Sequence, residues 1–319
     1  MHTRKTPTAR LLLGAALLTA ACSNGANEDP RPLVVCTTVM IGDLALDLAG
    51  DAARVEVLFG PDVDPHLFRP TRDDVALLLD ADLVIWNGLH LESNLQETRE
   101  RGETDGARVV PVAEVVAKRA DAVLMEGDDA EDPHVWMDVP LWTQVAELVA
   151  DELAALVPGA DAGALLERRT TLIAKLEALD AEATDLLNGV PEDRRTLVTA
   201  HDAFAYFGRR HGFEVHAIQG ISTASEAGLR AIEDLVTLVV EREVPAVFFE
   251  STVAERSVRA LIEGAEARGH RVTVGGTLHS DAPGEAAPYV GMIAHNARTI
   301  SAALGSTRAA SSAPAEVRK

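Results

Sequence analysis

The chain has 319 residues, of which 47% are hydrophobic and 25% are charged, and this composition is typical of a globular protein. The length predicts two domains or two lobes. The formal net charge of −21 argues against a nucleic-acid partner, because an acidic surface repels phosphate backbones and attracts small cations instead.

The N-terminus has the features of an export signal. Basic residues precede an apolar run over residues 11–21, which is shorter than the roughly 20 residues that span a bilayer and ends in small side chains. We therefore predict a signal peptide over residues 1–21. Cys22 follows directly, as in a bacterial lipobox, where this cysteine is lipidated and becomes the mature N-terminus, although Thr19 stands where Leu is commonest. Cleavage before Cys22 without lipidation is the alternative, and both interpretations predict export.

Short β-branched runs alternate with helical patterns along the rest of the chain. After a polar tether that includes the lipidated cysteine (22–32), the pattern of strand then helix occurs four times and then four times again. The candidate strands are LVVCTT, VEVLF, DLVIW and RVVPV, followed by TLVTA, EVHAI, AVFFE and RVTVGG. This order predicts an α/β protein with two parallel-sheet lobes of the (β/α)4 type, at 33–160 and 189–304. The low-complexity tail, 305–319, is predicted to be disordered.

A long helical pattern lies between the two sets of strands. Apolar residues recur at spacings of three or four, which predicts one helix over 161–188. At 1.5 Å per residue it would be about 40 Å long, enough to join the lobes. An ordinary helix inside one lobe is the alternative.

Two further signals mark helix starts. Thr71 and Asp74 form a capping box, and Pro140 is a proline in a first helical turn.

Four potential metal ligands follow strands. The tripeptide Asp-Pro-His occurs twice and ends at His66 and at His134. The proline restricts the backbone before each histidine, so little entropy is lost when a ligand binds. His201 comes directly after TLVTA, and Asp281 comes shortly after RVTVGG. Ligands in open α/β sheets bind beyond the carboxyl ends of strands, so these four side chains can meet in a cleft if the lobes face each other.

Three imidazoles and one carboxylate suit a divalent transition metal. Zn²⁺ accepts this set in tetrahedral geometry, and Mn²⁺ accepts it with a bidentate carboxylate. The Irving–Williams order favours zinc over manganese at a nitrogen-rich site, so we predict zinc first and manganese second, with iron as a further alternative. Asp64 and Asp132 are expected to cap the turns or to orient the imidazoles.

Several stretches carry a resemblance to a known family. They are DPHLFRPT, NGLHLE, DPHVWMD, AHDAFAYFGRRHGFEV, QGISTASEAG and FFESTV. Together they resemble the cluster A-I metal receptors, the substrate-binding lipoproteins of bacterial zinc and manganese ABC importers, from about Leu33 to Ala303. The resemblance implies two α/β lobes joined by one long helix. It also implies a metal between the lobes, held at the positions of His66, His134, His201 and Asp281.

The sequence departs from that pattern in two places. Manganese-preferring relatives often have Glu at the third ligand position, where this chain has His201. Zinc-specific relatives often have a His-rich loop before the second motif, where this chain has the acidic stretch MEGDDAED. The two departures point in opposite directions, so the resemblance leaves the order of metals open.

Other polar residues near strand ends are assigned supporting or local roles. Glu226 and Glu250 are expected to cap helices or to support a ligand. The resemblance favours Asp281 over His279 as a ligand and places His90 in the cleft wall. Four histidines are expected to be exposed or locally hydrogen-bonded: His211, His216, His270 and His295.

The resemblance implies a binding protein rather than an enzyme. We expect an exported monomer, lipid-anchored to the outer face of the cytoplasmic membrane, that delivers its metal to an ABC permease. A secreted zinc hydrolase is one alternative, but it needs an open coordination position for water. A metal-binding surface adhesin is the other alternative.

Overall fold

The computed structural model describes residues 29–105, 108–126, 130–159, 162–284 and 288–305. The predicted signal peptide, Cys22, most of the tether and residues 306–319 of the predicted tail lie outside the described residues. The described residues from Arg31 onward form one compact unit. Among the helices of the described ranges, none combines the length and the apolar character that crossing a membrane requires.

The N-terminal lobe contains a four-stranded parallel sheet with the order β2-β1-β3-β4. Its strands are β1 (Leu33–Cys36), β2 (Arg54–Val57), β3 (Leu83–Trp86) and β4 (Arg108–Pro111). Its helices are α1 (Val39–Ala49), α2 (Arg72–Leu79), α3 (Gln96–Asp105) and α4 (Val112–Arg119). Both inner strands are buried throughout, because alternate residues face apolar clusters on opposite sides of the sheet.

Two long helices come after the first sheet in the chain. The short antiparallel strands β5 (Met125–Glu126) and β6 (Ala130–Glu131), which the sequence did not predict, lead to a 3-10 helix at Val135–Met137. Next come α5 (Val139–Leu156) and α6 (Ala162–Asn188). One stripe of α6 is buried against α5 and α10 at spacings of three or four, as expected for an amphipathic helix. The predicted capping box at Thr71 and the predicted first-turn proline of α5 are both confirmed.

The C-terminal lobe repeats the alternation of strand and helix. Its strands are β7 (Thr196–His201), β8 (Glu214–Gln219), β9 (Ala246–Glu250) and β10 (Thr273–Leu278). They form the parallel pairs β7-β8 and β9-β10, and β7 lies beside β9. The helices are α7 (Ala205–His211), α8 (Leu229–Glu241), α9 (Arg256–Ala267) and α10 (Tyr289–Gly305). All eight predicted strands are present, and the predicted fold class, two parallel-sheet lobes joined by one long helix, is confirmed.

Candidate metal centre

The four residues singled out from the sequence lie together at the strand ends of both lobes. His66 follows β2, His134 precedes the 3-10 helix, His201 ends β7 and Asp281 comes three residues after β10. One ligand atom of each residue lies within 4.8 Å of those of the other three. His66 is half-buried and the other three are buried, so the cluster is nearly closed to solvent.

The spacing inside the cluster leaves room for one ion. The Nε2 atoms of His66 and His134 are 3.5 Å apart. The carboxylate of Asp281 lies 3.2 Å from Nε2 of His134 and 3.3 Å from Nε2 of His201. Among the described residues, Nε2 of His201 and both oxygens of Asp281 are buried without a hydrogen-bond partner. Buried polar atoms almost always have partners, so this convergence fits a cation shared by the four side chains.

A carboxylate orients each of the two fully buried imidazoles. Oδ1 of Asp132 lies 2.7 Å from Nδ1 of His134 and also accepts the backbone N–H of His134 at 2.9 Å. Glu250, the last residue of β9, lies 2.5 Å from Nδ1 of His201 and accepts its backbone N–H at 2.8 Å. With the proton on Nδ1, the Nε2 lone pair is free to bind a metal. The roles expected for Asp132 and Glu250 are therefore observed.

Asp64 has only the first of its two expected roles. Oδ1 accepts the backbone N–H of His66 at 2.9 Å, so Asp64 caps the turn. Oδ2 accepts the hydroxyl of Thr223 at 2.6 Å. The carboxylate thereby joins the first Asp-Pro-His loop to the loop between β8 and α8, instead of holding the His66 ring.

Neighbouring carboxylates favour positive charge at His134 and His201, whereas burial disfavours it at His66. Burial lowers the pKa of His66 to about 4. Burial also acts to lower the pKa of His134, but Asp132 and Asp281 outweigh it and raise that pKa to about 9. Burial opposes the positive form of His201 too, yet Glu250 and Asp281 raise its pKa well above the usual value. For Asp281, burial acts to raise the pKa, and the neighbouring imidazoles lower it well below the usual range.

The remaining candidates lie outside the cluster. His90 is exposed, Glu226 forms an exposed ion pair with Arg256, and His279 contacts Ser251. His216, His270 and His295 have local polar partners, as expected. His211 corrects the expectation made for it: it is buried against Phe207, and neither ring nitrogen has a hydrogen-bond partner in the part of the chain that the structure describes.

Sequence reasoning missed two residues next to the cluster. Thr223 binds Asp64 from the other lobe, and Trp136 packs on His134 with ring centroids 5.1 Å apart. Both lie in the motifs quoted above, QGISTASEAG and DPHVWMD. Their roles depend on contacts between segments that are distant in the sequence. The motifs therefore include both residues, but the sequence does not predict their contacts.

A buried set of cation ligands in the cleft between two α/β lobes defines a two-lobed solute-binding protein. The family model described as "Zinc-uptake complex component A periplasmic" (ZnuA) matches residues 34–303, and the chain belongs to this family. It is 42% identical over 287 residues to "Zinc-binding protein TroA" of Treponema pallidum (strain Nichols), covering 88% of this chain and 92% of that protein. It is 40% identical over 287 residues to "Manganese-binding lipoprotein MntA" of Bacillus subtilis (strain 168), with the same coverage of both chains.

The fold comparison agrees with the sequence comparison. The solved structure of the periplasmic zinc-binding protein TroA from Treponema pallidum superposes with a TM-score of 0.81 at 42% identity. The match covers 86% of this chain and 99% of that structure. Substrate-binding proteins of this family serve ABC importers. The relatives named above are a periplasmic protein and a lipoprotein.

Proposed function

We propose that this protein captures a divalent transition metal outside the cytoplasm and delivers it to the membrane permease of an ABC importer. The ligands are His66, His134, His201 and Asp281. The observation that carries the proposal is the convergence of their four ligand atoms within 4.8 Å, from two lobes, at a buried position. Family membership supplies the transport role.

We infer that zinc is the first metal and manganese the second, with iron as the further alternative. The two relatives described above are named for different metals, zinc and manganese, at nearly equal identity. The order therefore rests on the ligand set. Three imidazole nitrogens and one carboxylate bind Zn²⁺ more tightly than Mn²⁺ by the Irving–Williams order.

The ligand set supports binding rather than catalysis. Four protein ligands complete a tetrahedral zinc site, whereas a zinc hydrolase keeps one position for water. We further propose that the protein acts as a monomer and that a lipid on Cys22 anchors it to the outer face of the cytoplasmic membrane. Anchoring keeps the captured ion close to the permease.

A competitive titration tests the proposal. Metal-stripped protein is titrated with Zn²⁺ and Mn²⁺, in parallel with the variants His66→Ala and Asp281→Ala. The control is His216→Ala, which removes a histidine on β8 that pairs with Glu214 outside the cluster. We expect one tight equivalent that both ligand variants lose and that the control keeps. Binding that is indifferent to both ligand variants would refute the assignment of the site.

A further inference from the structure

Trp136 connects the ligand loops of the two lobes. It lies two residues after His134, in the 3-10 helix, and is fully buried. Its indole Nε1–H donates to the carbonyl oxygen of Ser280 at 2.8 Å, across 144 positions of sequence. Ser280 directly precedes Asp281, so one side chain from the N-terminal half holds the backbone that presents a ligand from the C-terminal half.

The same indole also contacts the imidazole of His134. The two rings meet edge to face, with centroids 5.1 Å apart and an angle of 69° between their planes. Trp136 is therefore in contact with one proposed ligand through its ring and with the residue before another through its N–H. A single rigid side chain therefore connects the His134 ring with the backbone next to Asp281, and the closest atoms of these two ligands are 3.2 Å apart.

A third contact, made by the backbone of Trp136, fixes this residue in place. The hydroxyl of Tyr289, a buried residue at the start of α10, donates to the carbonyl oxygen of Trp136 at 2.8 Å. The backbone N–H of Tyr289 donates in turn to Asp43 on α1 at 2.7 Å. A side chain can position a ligand only if it is itself fixed in place. The bond from Tyr289 fixes the backbone of Trp136, and the bond to Asp43 fixes Tyr289.

The Asp281 loop has a second restraint within its own lobe. The side chain of Asn296 on α10 accepts the backbone N–H of His279 at 2.9 Å and donates to its carbonyl at 2.7 Å. The hydroxyl of Ser280 lies 3.4 Å from that of Thr252. Loss of the Trp136 bond should therefore leave the loop folded but free to shift relative to His134.

We propose that Trp136 is a positioning residue that sets the geometry of Asp281 relative to His134, and thereby the affinity and metal preference of the site. This inference rests on the proposed function. The carboxylate of Asp281 faces Nε2 of His134 and Nε2 of His201, and no described residue outside the cluster donates a hydrogen bond to it. The position of its backbone therefore helps to set where the carboxylate lies. Residues that orient metal ligands from outside the coordination sphere typically change metal affinity by about 10–100-fold when replaced.

The test compares Trp136→Phe with Trp142→Phe in protein purified from cells that export it. Trp142 on α5 is a matched control, because it is equally buried and its Nε1 has no hydrogen-bond partner among the described residues. Both changes remove an indole from the interior, but only the first removes the bond to Ser280. We expect the Kd for Zn²⁺ to rise about tenfold in Trp136→Phe and to stay within about twofold in Trp142→Phe. The loss for Mn²⁺ should be larger than for Zn²⁺, because manganese prefers carboxylate oxygen to imidazole nitrogen.

Cobalt substitution separates positioning from general damage. The visible absorption bands of bound Co²⁺ report coordination geometry, and a merely destabilised protein would keep them unchanged. We expect shifted bands in Trp136→Phe and wild-type bands in Trp142→Phe. Equal affinities and identical Co²⁺ spectra in the two variants would overturn the inference. The proposed function would stand as long as the wild-type protein binds one metal and Asp281→Ala does not.

A measurement on the unmodified protein covers the case in which Trp136→Phe does not fold. The chain has three tryptophans, so its ¹H–¹⁵N spectrum contains three indole signals, which Trp86→Phe and Trp142→Phe assign by elimination. The Trp136 indole proton should exchange slowly with solvent and should shift when Zn²⁺ is added. A fast-exchanging signal, or one that zinc leaves unmoved, would contradict the role of Trp136.

Discussion

At the scale of single residues, each fully buried imidazole of the cluster depends on a carboxylate from its own lobe. Glu250 contacts His201 twice, at the ring Nδ1 and at the backbone N–H. The pair is buried and neighbouring strands hold it, so the ring has one available orientation. The carboxylate thereby selects the tautomer that leaves Nε2 free for metal.

Replacing Glu250 with Gln should weaken zinc binding by about tenfold or more. A glutamine oxygen can accept from only one of the two N–H groups of His201, and its NH₂ group then faces the other donor. The measurement is competitive Zn²⁺ titration. Glu226→Gln is the control, because Glu226 follows another strand of the same lobe and forms an exposed ion pair with Arg256 outside the cluster. An unchanged Kd in Glu250→Gln would mean that packing alone orients His201.

The contact between Glu250 and His201 also affects any substitution at His201 that is meant to change the metal preference. His201→Glu replaces a nitrogen ligand with an oxygen ligand, which should favour Mn²⁺. It also places a new carboxylate beside Glu250 and Asp281 in a buried site, where like charges repel. We therefore expect the double variant His201→Glu/Glu250→Gln, measured against Glu250→Gln alone, to lower the preference for Zn²⁺ over Mn²⁺ by about tenfold. If the ratio of the two Kd values does not change, cleft geometry rather than ligand type sets selectivity.

At the scale of elements, the loop after β3 is held by a buried acid. Glu92 accepts hydrogen bonds from the hydroxyl of Thr37 at 2.7 Å and from the backbone N–H groups of Asn87 and Gly88 at 2.8 and 3.2 Å. Asn87 donates in turn to the carbonyl of Pro133, the residue before His134. The loop after β3 therefore contacts and stabilises the second Asp-Pro-His turn.

Glu92 should make stability depend on pH in a direction unusual for a carboxylate. Burial raises its pKa from the usual value of 4.5 to about 7, although its three hydrogen bonds act to lower it. Between these pH values the folded chain holds a proton that the unfolded chain has released. The contribution of Glu92 is therefore full below pH 4.5 and is lost as the pH rises through 7, at about 1.4 kcal/mol per pH unit.

The measurement is the free energy of unfolding of metal-free protein from pH 5 to pH 8. Relative to Glu92→Gln, the wild-type protein should lose on the order of 2–3 kcal/mol over this range. Glu114→Gln is the control. Burial acts to raise the pKa of Glu114, but Lys118 and the N–H of Leu89 lower it overall from the usual 4.5. Its contribution is lost only as the pH falls below 4.5, so the curve of Glu114→Gln should run parallel to that of the wild type from pH 5 to pH 8. Parallel curves for wild type and Glu92→Gln would show that Glu92 titrates normally.

These elements show which parts of the structure could be predicted from the sequence. Strand runs, helix periodicity and caps are local signals, so all eight longer strands and the 27-residue helix α6 could be predicted. The four residues that meet in the cleft could be chosen because ligands gather beyond parallel strand ends. The pairing of Glu250 with His201 depends on β7 lying beside β9, and the Trp136 bond depends on how the lobes meet. The two-residue strands β5 and β6 are too short to show any period.

At the scale of the whole molecule, the lobes share their largest apolar cluster. The largest apolar cluster of the described residues contains side chains of α1, α5, α6, α7 and α10 together with strands of both sheets. The buried stripe of α6 lies within it, and Leu176 near its centre is fully buried. The lobe boundaries at 160 and 189 remain a prediction, but a shared core implies that the lobes unfold together.

Leu176→Ala tests that implication. Truncating a fully buried leucine should lower the free energy of unfolding by about 3 kcal/mol, through lost apolar burial and the cavity left behind. Far-ultraviolet circular dichroism follows every helix, whereas tryptophan fluorescence follows only Trp86, Trp136 and Trp142. Because the cluster spans both lobes, the unfolding midpoints measured by the two signals should fall to the same lower value. Leu166→Ala on the same helix is the control, since that side chain is 63% exposed and its loss should change stability by about 0.5 kcal/mol or less. If the two signals separate in Leu176→Ala, the lobes unfold independently, and α6 acts as a connector between two cores instead of a part of one.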